Sequence, residues 1–153
     1  MPAIVVTIFL SHSPATVWEE LRHIDRHVRW MADAQRIDFH SEQREGVGTT
    51  FDCHTTIGPF TTTDVMTVTR WQDEVAMGVI HRGLVTGRGE FTLSRDGTGT
   101  LLTWSEHLHF PWWCAGPVGA WLARPVLRLI WRRNLSNFAL QVREEPGRDS
   151  RAG

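Results

Sequence analysis

Five turn signals divide the middle of the chain into short segments in which apolar and polar residues alternate. The turns are Arg44-Glu45-Gly46, Ile57-Gly58-Pro59, Gln72-Asp73, Arg82-Gly83 and Asp96-Gly97. Alternation with a period of two is typical of strands that bury one face, and turns at this spacing are typical of an antiparallel meander. The sequence therefore predicts six consecutive strands, near 34–43, 48–56, 60–71, 74–82, 86–95 and 100–110.

The segments on either side of the meander have different patterns. Residues 3–10 form a β-branched, apolar run that predicts a first strand. Ser13 is a candidate N-cap with Pro14 at the first helical position, and the following apolar spacing predicts two short helices separated near His23. Residues 116–143 lack alternation and are rich in helix formers, which predicts one long helix with Pro125 inside it as a candidate kink.

This order, one strand, two short helices, six strands and one long helix, predicts the α+β class. The apolar face of the sheet needs a cover, and the long helix is the element available to supply it. A chain of 153 residues is expected to form one domain. We expect this domain to span 1–144 and the polar segment 145–153 to be a disordered tail.

The net charge and the first residues of the chain limit the expected partners and the expected cellular compartment. The formal net charge of -1 provides no field that would attract nucleic acid. The first ten residues lack the basic n-region of a leader and are too short to span a bilayer, so we expect a cytoplasmic protein without stable membrane insertion. In that compartment Cys53 and Cys114 are expected to stay reduced.

Seven segments occur in a distinctive order along the chain: SPATVWEEL, IDRHVRWM, REGVGTTFDCHTTIGPF, DVMTVTRW, HRGLVTGRGEFTL, LLTWSEHLHFPW and RPVLRLIWRRNLSNF. In this order they resemble the START-like (SRPBCC) superfamily, and in particular its polyketide cyclase/dehydrase-related branch. The resemblance implies a helix-grip fold, in which a curved, seven-stranded antiparallel sheet wraps around the C-terminal helix and encloses a ligand cavity. It does not imply one reaction, because the superfamily includes carriers, enzymes and chaperone regulators.

Three polar residues lie on strand faces that are otherwise apolar. Alternation places Glu106 on the same face as Trp104 and Leu108, and it similarly places Asp64 and His81 among apolar neighbours. Together they would form an acid/base cluster able to move protons on an enolisable ligand. The alternatives are that Glu106 reaches solvent or a structural arginine, that Asp64 caps a hairpin, and that His81 is a satisfied core histidine.

The remaining candidate ligand contacts are mostly large apolar side chains that the same reasoning places on the inner face. They are Trp30, Phe39, Phe51, Met66, Val68, Met77, Phe91, Trp104, Leu108, Phe110, Trp121, Arg128 and Trp131. On the last helix, the predicted inner stripe includes Trp121, Arg124, Arg128, Trp131, Leu135, Phe138 and Val142. Arg124 and Arg128 either meet Glu106 or a ligand acid, or extend to the rim.

The segment before and within the start of this helix concentrates Trp112, Trp113, Trp121 and Leu122. The resemblance places a pocket mouth there. A dimer contact, a membrane-surface contact and core packing are the alternatives, because exposed apolar patches occur at interfaces of several kinds.

Other motifs do not support a cofactor or a metal. His23 and His27, and likewise His107 and His109, have spacings compatible with a metal but come with no carboxylate or thiol set. Gly83, Gly87 and Gly89 do not precede a helix, so we expect them to relieve crowding where a helix or ligand approaches the sheet rather than to bind phosphate.

Two functional hypotheses follow, together with a weaker third. The first is a carrier or sensor that holds a small hydrophobic molecule, lipid-like or polyketide-like, by burial. The second is a polyketide cyclase, aromatase or dehydratase that uses Glu106, His81 or Asp64 for proton transfer. The third is an interaction domain that works through the 112–122 surface.

Overall fold

In the computed structural model, which describes residues 3–144, the six meander strands form one sheet. They are β2 (Ala34–Phe39), β3 (Thr50–Ile57), β4 (Phe60–Gln72), β5 (Ala76–Arg82), β6 (Thr86–Asp96) and β7 (Gly99–His109). The first strand, β1 (Ile4–Leu10), pairs with β7, which gives the strand order β1-β7-β6-β5-β4-β3-β2. All neighbours are antiparallel. The predicted seven-stranded α+β architecture is therefore confirmed.

The two short helices that follow β1 form as predicted. Helix α1 (Pro14–Leu21) begins after Ser13, whose hydroxyl accepts a hydrogen bond from the Thr16 N–H at 3.3 Å. The second is a 3₁₀ helix, Ile24–Arg29. The buried side chains of α1 include Val17, Trp18 and Leu21, and the Trp18 ring contacts Trp71 of β4 edge to face at 5.2 Å.

The long C-terminal helix, α2 (Gly116–Glu144), follows a 3₁₀ turn at Trp112–Cys114 and continues through Pro125. Two asparagines fasten it to the segment after the 3₁₀ helix Ile24–Arg29. The fully buried Asn134 accepts from the Ala32 N–H at 3.0 Å and donates to Asp33 Oδ1 at 2.6 Å. Asn137 donates to the Trp30 carbonyl at 3.3 Å. The position of α2 is thus fixed by polar contacts as well as by burial.

One strand is shorter than predicted. β2 ends at Phe39 rather than near residue 43. The Gln43 amide donates to the carbonyls of Glu45 and Val47, which organises this segment as a loop. Because a side chain satisfies these backbone groups, the loop needs no continuation of the strand ladder.

A chain of aromatic rings forms the core between sheet and helix. Trp30 is 1% exposed and its ring lies 5.1 Å from Phe138 and 5.9 Å from Phe91. Trp104 continues the chain to Trp131, with ring centroids 5.2 Å apart. Within residues 3–144, no helix combines the length and apolar character needed to span a bilayer. The predicted tail 145–153 lies outside the described residues.

Candidate functional site

A cavity of about 490 Å³ lies between the inner face of the sheet and the first half of α2. Its wall comes mainly from β3 to β7, from the 3₁₀ helix Ile24–Arg29 and from one side of α2. Most of the lining side chains are apolar. This volume and lining are typical of sites for small organic molecules.

The cavity has an aromatic floor and an exposed mouth. Phe91, Trp104 and Trp131 line the floor, where the Phe91 and Trp104 rings lie 5.0 Å apart. Phe60 and Val126 line the cavity and are also 73% and 53% exposed, and Leu84 is 39% exposed. We call Phe60, Leu84 and Val126 the mouth.

The structure divides the predicted apolar contacts into three groups. Those on the cavity wall are Phe51, Met66, Met77, Phe91, Trp104, Leu108, Phe110 and Trp131. Trp30 and Val68 are buried in the core outside the cavity wall, and Phe39 packs on Phe51 with ring centroids 5.8 Å apart. Trp121 and Arg128 are exposed and do not line the main cavity.

The placement of Trp121 and Arg128 corrects the predicted inner stripe of α2. The side of the helix that faces the cavity contains Gly119, Ala123 and Leu127. The prediction matched the structure only from Trp131 onward, through the buried Leu135, Phe138 and Val142. The first half of the helix is apolar on both sides, so hydrophobic spacing could not identify the buried side.

The two helix arginines do not approach the polar cluster. Arg124 donates to the Ala3 carbonyl at 3.2 Å, and Arg128 is exposed. Within residues 3–144, neither forms an ion pair with Glu106. The predicted pocket-mouth tryptophans, Trp112 and Trp113, are 87% and 61% exposed and lie outside the cavity lining.

Asp64, His81 and Glu106 all line the cavity. Glu106 is only 5% exposed; its Oε1 accepts from the Trp104 indole N–H at 2.9 Å, and its Oε2 lies 3.1 Å from His81 Nε2. Asp64 is 7% exposed, and its Oδ2 accepts from the Thr62 hydroxyl at 3.3 Å. Glu106 therefore contacts Trp104 and His81 rather than solvent or a structural arginine.

This polar cluster retains unused hydrogen-bonding capacity. Although His81 Nε2 and Glu106 Oε2 lie at ion-pair distance, their geometry is not that of a hydrogen bond. Within residues 3–144, His81 Nε2 and Glu106 Oε2 have only each other as an ion-pair partner, and Asp64 Oδ1 has no well-aligned hydrogen bond, although the Leu84 and Val85 backbone groups lie near the carboxylate. Because these hydrogen bonds are incomplete in a buried site, the site is suited to a ligand that completes them.

Burial and mutual charge set the protonation of the cluster. Burial raises the pKa of Asp64 above its usual value, although the His81 charge and the nearby Leu84 and Val85 backbone groups oppose the shift. Burial also lowers the pKa of His81, but the Glu106 and Asp64 carboxylates outweigh it and the net pKa is raised. The cluster therefore favours a protonated imidazole beside Glu106, which is a proton donor next to a proton acceptor.

Two of the glycines make room for these carboxylates. A Cβ at Gly89 would collide with the Glu106 carboxylate, and a Cβ at Gly83 would collide with Asp64 Oδ1. At Gly87, with φ of +144°, the obstacle is the His107 carbonyl of β7. The glycines thus relieve crowding, but the crowding comes from strands of the sheet and not from a helix or ligand as expected. Gly89 leaves space for Glu106 on β7 to approach His81 on β5 across β6.

Sequence reasoning missed the part of the wall contributed by the 3₁₀ helix Ile24–Arg29 and its continuation. Ile24, His27 and Met31 line the cavity, and their spacing of three and four residues was a readable signal. His27 Nε2–H donates to the Leu21 carbonyl at 2.8 Å, and burial lowers the pKa of His27 to about 4. Its ring is therefore neutral at pH 7.

Cys53 also lines the cavity and is free. Burial raises the pKa of its thiol to about 11, which does not favour a thiolate nucleophile. The side chain of Cys114 lies outside the described residues. Among the described residues, no group of three or more His, Cys, Asp or Glu is arranged to hold a metal ion.

Comparisons with known proteins give a family and a fold. The family model described as polyketide cyclase/dehydrase and lipid transport matches residues 1–144. A search of curated proteins finds no match.

Solved structures share the fold at low sequence identity. A protein from Thermus thermophilus has a TM-score of 0.76 and 13% identity, covering 95% of this chain and 100% of its own. A conserved protein from Geobacillus kaustophilus has a TM-score of 0.77 and 14% identity, covering 94% and 96%. The di-domain ARO/CYC StfQ of the steffimycin biosynthetic pathway has a TM-score of 0.77 and 15% identity, covering 95% of this chain and 51% of its own. These similarities confirm the predicted helix-grip-like fold.

Proposed function

The chain belongs to the polyketide cyclase/dehydrase and lipid transport family, and from this membership and the cavity we propose that it binds a small hydrophobic molecule, polyketide-like or lipid-like, as a carrier or sensor. The observation that carries the proposal is the combination of an apolar cavity of about 490 Å³ with a buried polar cluster of Asp64, His81 and Glu106 on its wall, whose hydrogen bonds are incomplete within residues 3–144. Such a cavity favours a ligand that is mostly apolar and has a polar group at one position.

The polar cluster favours a particular kind of group. A protonated His81 can donate a hydrogen bond to it, and Glu106 Oε2, which lies 3.1 Å from His81, can accept one. A hydroxyl or an enol satisfies both, because its oxygen accepts while its O–H donates. A wholly apolar ligand would supply no hydrogen bond to the cluster. We therefore expect oxygenated ligands to bind more tightly than hydrocarbons of the same size.

Filling the cavity with a larger side chain tests binding. Leu127 lines the cavity from α2, so Leu127→Trp should reduce the affinity for a fluorescent fatty acid or a fluorescent phenol at least tenfold. Leu122→Trp is the matched control, because Leu122 lies on the same helix and is 61% exposed. Fluorescence titration gives the affinities, and native mass spectrometry identifies any ligand that co-purifies. Equal affinity in both variants, or no uptake of any apolar probe, would disprove the proposed cavity function.

A second candidate function is proton transfer on a poly-carbonyl substrate, as in a cyclase or dehydratase. It is favoured by the 3.1 Å contact between His81 and Glu106 and by the raised pKa of Asp64. One member of such a pair would remove a proton next to a carbonyl while the other protonates the oxygen that becomes the enol or leaves as water.

Glu106→Gln distinguishes the two functions, because glutamine can still accept the Trp104 hydrogen bond but cannot act as an acid or base. With a poly-carbonyl substrate, turnover should fall about a hundredfold or more while binding persists. Unchanged turnover would remove Glu106 as the acid or base. Binding without turnover in the unmodified protein would leave carrier or sensor as the function.

A further inference from the structure

The start of α2 and the turn before it present a large apolar surface to solvent. Its members are Trp112, Trp113, Val118, Trp121, Leu122, Val126 and Leu129, and each is between 53% and 87% exposed. We call these residues, together with Arg128, Arg132 and Arg133, the Trp–Arg surface. Contiguous exposed apolar side chains of this size mark interaction sites.

The helical members of the Trp–Arg surface share one side of α2. Val118, Leu122 and Leu129 follow the spacing of four and seven residues that aligns side chains along a helix. They extend over about 16 Å, and Ala123 and Leu127 face the cavity from the opposite side. The apolar stripe is therefore additional to the side that the fold already buries.

Charge along this segment has one sign. Residues 107–143 contain five arginines and no aspartate or glutamate, although the whole chain has a net charge of -1. Arg128, Arg132 and Arg133 are exposed beside the apolar stripe. The surface thus combines exposed indole rings with guanidinium groups and no compensating acid from its own segment.

We propose that the Trp–Arg surface docks the protein reversibly on an anionic phospholipid bilayer. Indole rings partition to the boundary between headgroups and acyl chains, and helices with an apolar stripe and flanking cations lie in that plane. Basic side chains near an anionic leaflet strengthen such binding. A second copy of the chain fits this surface less well, because a two-fold contact would bring like-charged arginines together.

The docking surface adjoins the cavity. Val126 is part of both, since it lines the mouth and is 53% exposed. Docking through this part of α2 would place the mouth against the bilayer, so a lipid-like ligand could enter without crossing water. Docking would use the outer surface of α2, whereas ligand binding uses the interior of the cavity.

Sedimentation of the full chain with phospholipid vesicles tests the proposal. We expect binding to phosphatidylcholine vesicles that contain about 30% phosphatidylglycerol, and at least tenfold weaker binding to pure phosphatidylcholine or in about 0.5 M salt. Arg132→Glu with Arg133→Glu should reduce the partition constant at least tenfold. Trp121→Gln with Leu129→Gln should have a similar effect through lost apolar contact.

Matched controls separate docking from folding and from cavity binding. Arg88→Glu with Arg95→Glu makes the same change in charge on exposed positions of β6, and Val5→Gln with Leu140→Gln removes exposed apolar side chains elsewhere. Both control pairs should bind vesicles normally, and all variants should keep the unmodified affinity for a fluorescent fatty acid in lipid-free buffer. The proposal is overturned by no binding to anionic vesicles, by equal losses in test and control pairs, or by a dimer that Trp121→Gln dissociates.

Discussion

The first half of α2 (116–130) has nine apolar residues and the second half (131–144) has six, yet the more apolar half is the more exposed. In the first half, Trp121, Leu122 and Leu129 are 61–66% exposed. In the second half, Leu135 and Phe138 are fully buried. The second half therefore packs the helix against the core, while the first half forms a cavity wall. The positions of hydrophobic residues alone do not show which half is buried.

The two halves of α2 differ in exposure because they pack against different parts of the protein. The second half meets Trp30 and is fastened by Asn134 and Asn137. The first half faces the open volume of the cavity, so its inner side is lined by small or medium residues such as Gly119 and Ala123. We expect the first half to open at lower free energy than the second, because fewer buried contacts hold it.

The largest loss of stability is expected from a substitution in the second, buried half of α2. Phe138→Ala should lower the free energy of unfolding by about 3–5 kcal/mol, because it leaves a cavity beside Trp30. Urea denaturation measures the change. Leu140→Ala, at a 54% exposed position two residues away, is the control and should change stability by less than about 0.5 kcal/mol. Similar losses in both variants would show that this half is not packed as described.

A pH series tests the core beneath the second half of α2, because the His27 ring lies 5.0 Å from Trp30. The folded-state pKa of His27, about 4, is below the ordinary 6.5, so the unfolded chain binds more protons between these values. The free energy of unfolding therefore falls as the pH is lowered from 6.5 towards 4, because protonating His27 favours the unfolded chain. The total loss from this group is about 3 kcal/mol. Urea unfolding from about pH 7 to 4 measures it. His27→Gln should flatten this part of the profile, and an unchanged slope would contradict a buried neutral imidazole.

A smaller loss of stability is expected when the hydrogen bonds of Asn134 are removed. Asn134→Leu keeps the branching and the number of side-chain heavy atoms but leaves the Ala32 N–H and the Asp33 carboxylate without their partner, which should lower stability by about 2 kcal/mol. Thermal unfolding of this variant, compared with the exposed Ser136→Leu on the same helix, provides the measurement. A neutral result at Asn134 would mean that burial alone positions α2.

The smallest effect is expected in the first half of α2. Leu122→Ala and Leu129→Ala should each change the free energy of unfolding by no more than about 0.5 kcal/mol, because both side chains are more than half exposed. The same urea assay measures this. A loss above about 2 kcal/mol would show that the exposed stripe is packed against the rest of the protein and would remove the difference between the halves.

The fold was largely predictable because its signals are local. Turn residues such as Asp96-Gly97 separate the strands, Ser13-Pro14 begins α1, and alternation along a strand assigns each side chain to a face. The one clear boundary error is at the end of β2. It arose because the Gln43 side chain forms hydrogen bonds with the loop backbone, and no sequence pattern predicts such bonds.

The sequence by itself determined the order of the elements and the alternation that brings Glu106, His81 and Asp64 to one face. Only the tertiary structure decided the rotation of α2, which places Ala123 and Leu127 rather than Trp121 and Arg128 on the cavity wall. It also decided the approach of Glu106 to His81 across β6, which requires the space at Gly89. Strand alternation is a property of neighbouring residues. The rotation of a helix that is apolar on both sides, and the contact of side chains on non-adjacent strands, depend on what the rest of the chain packs against them.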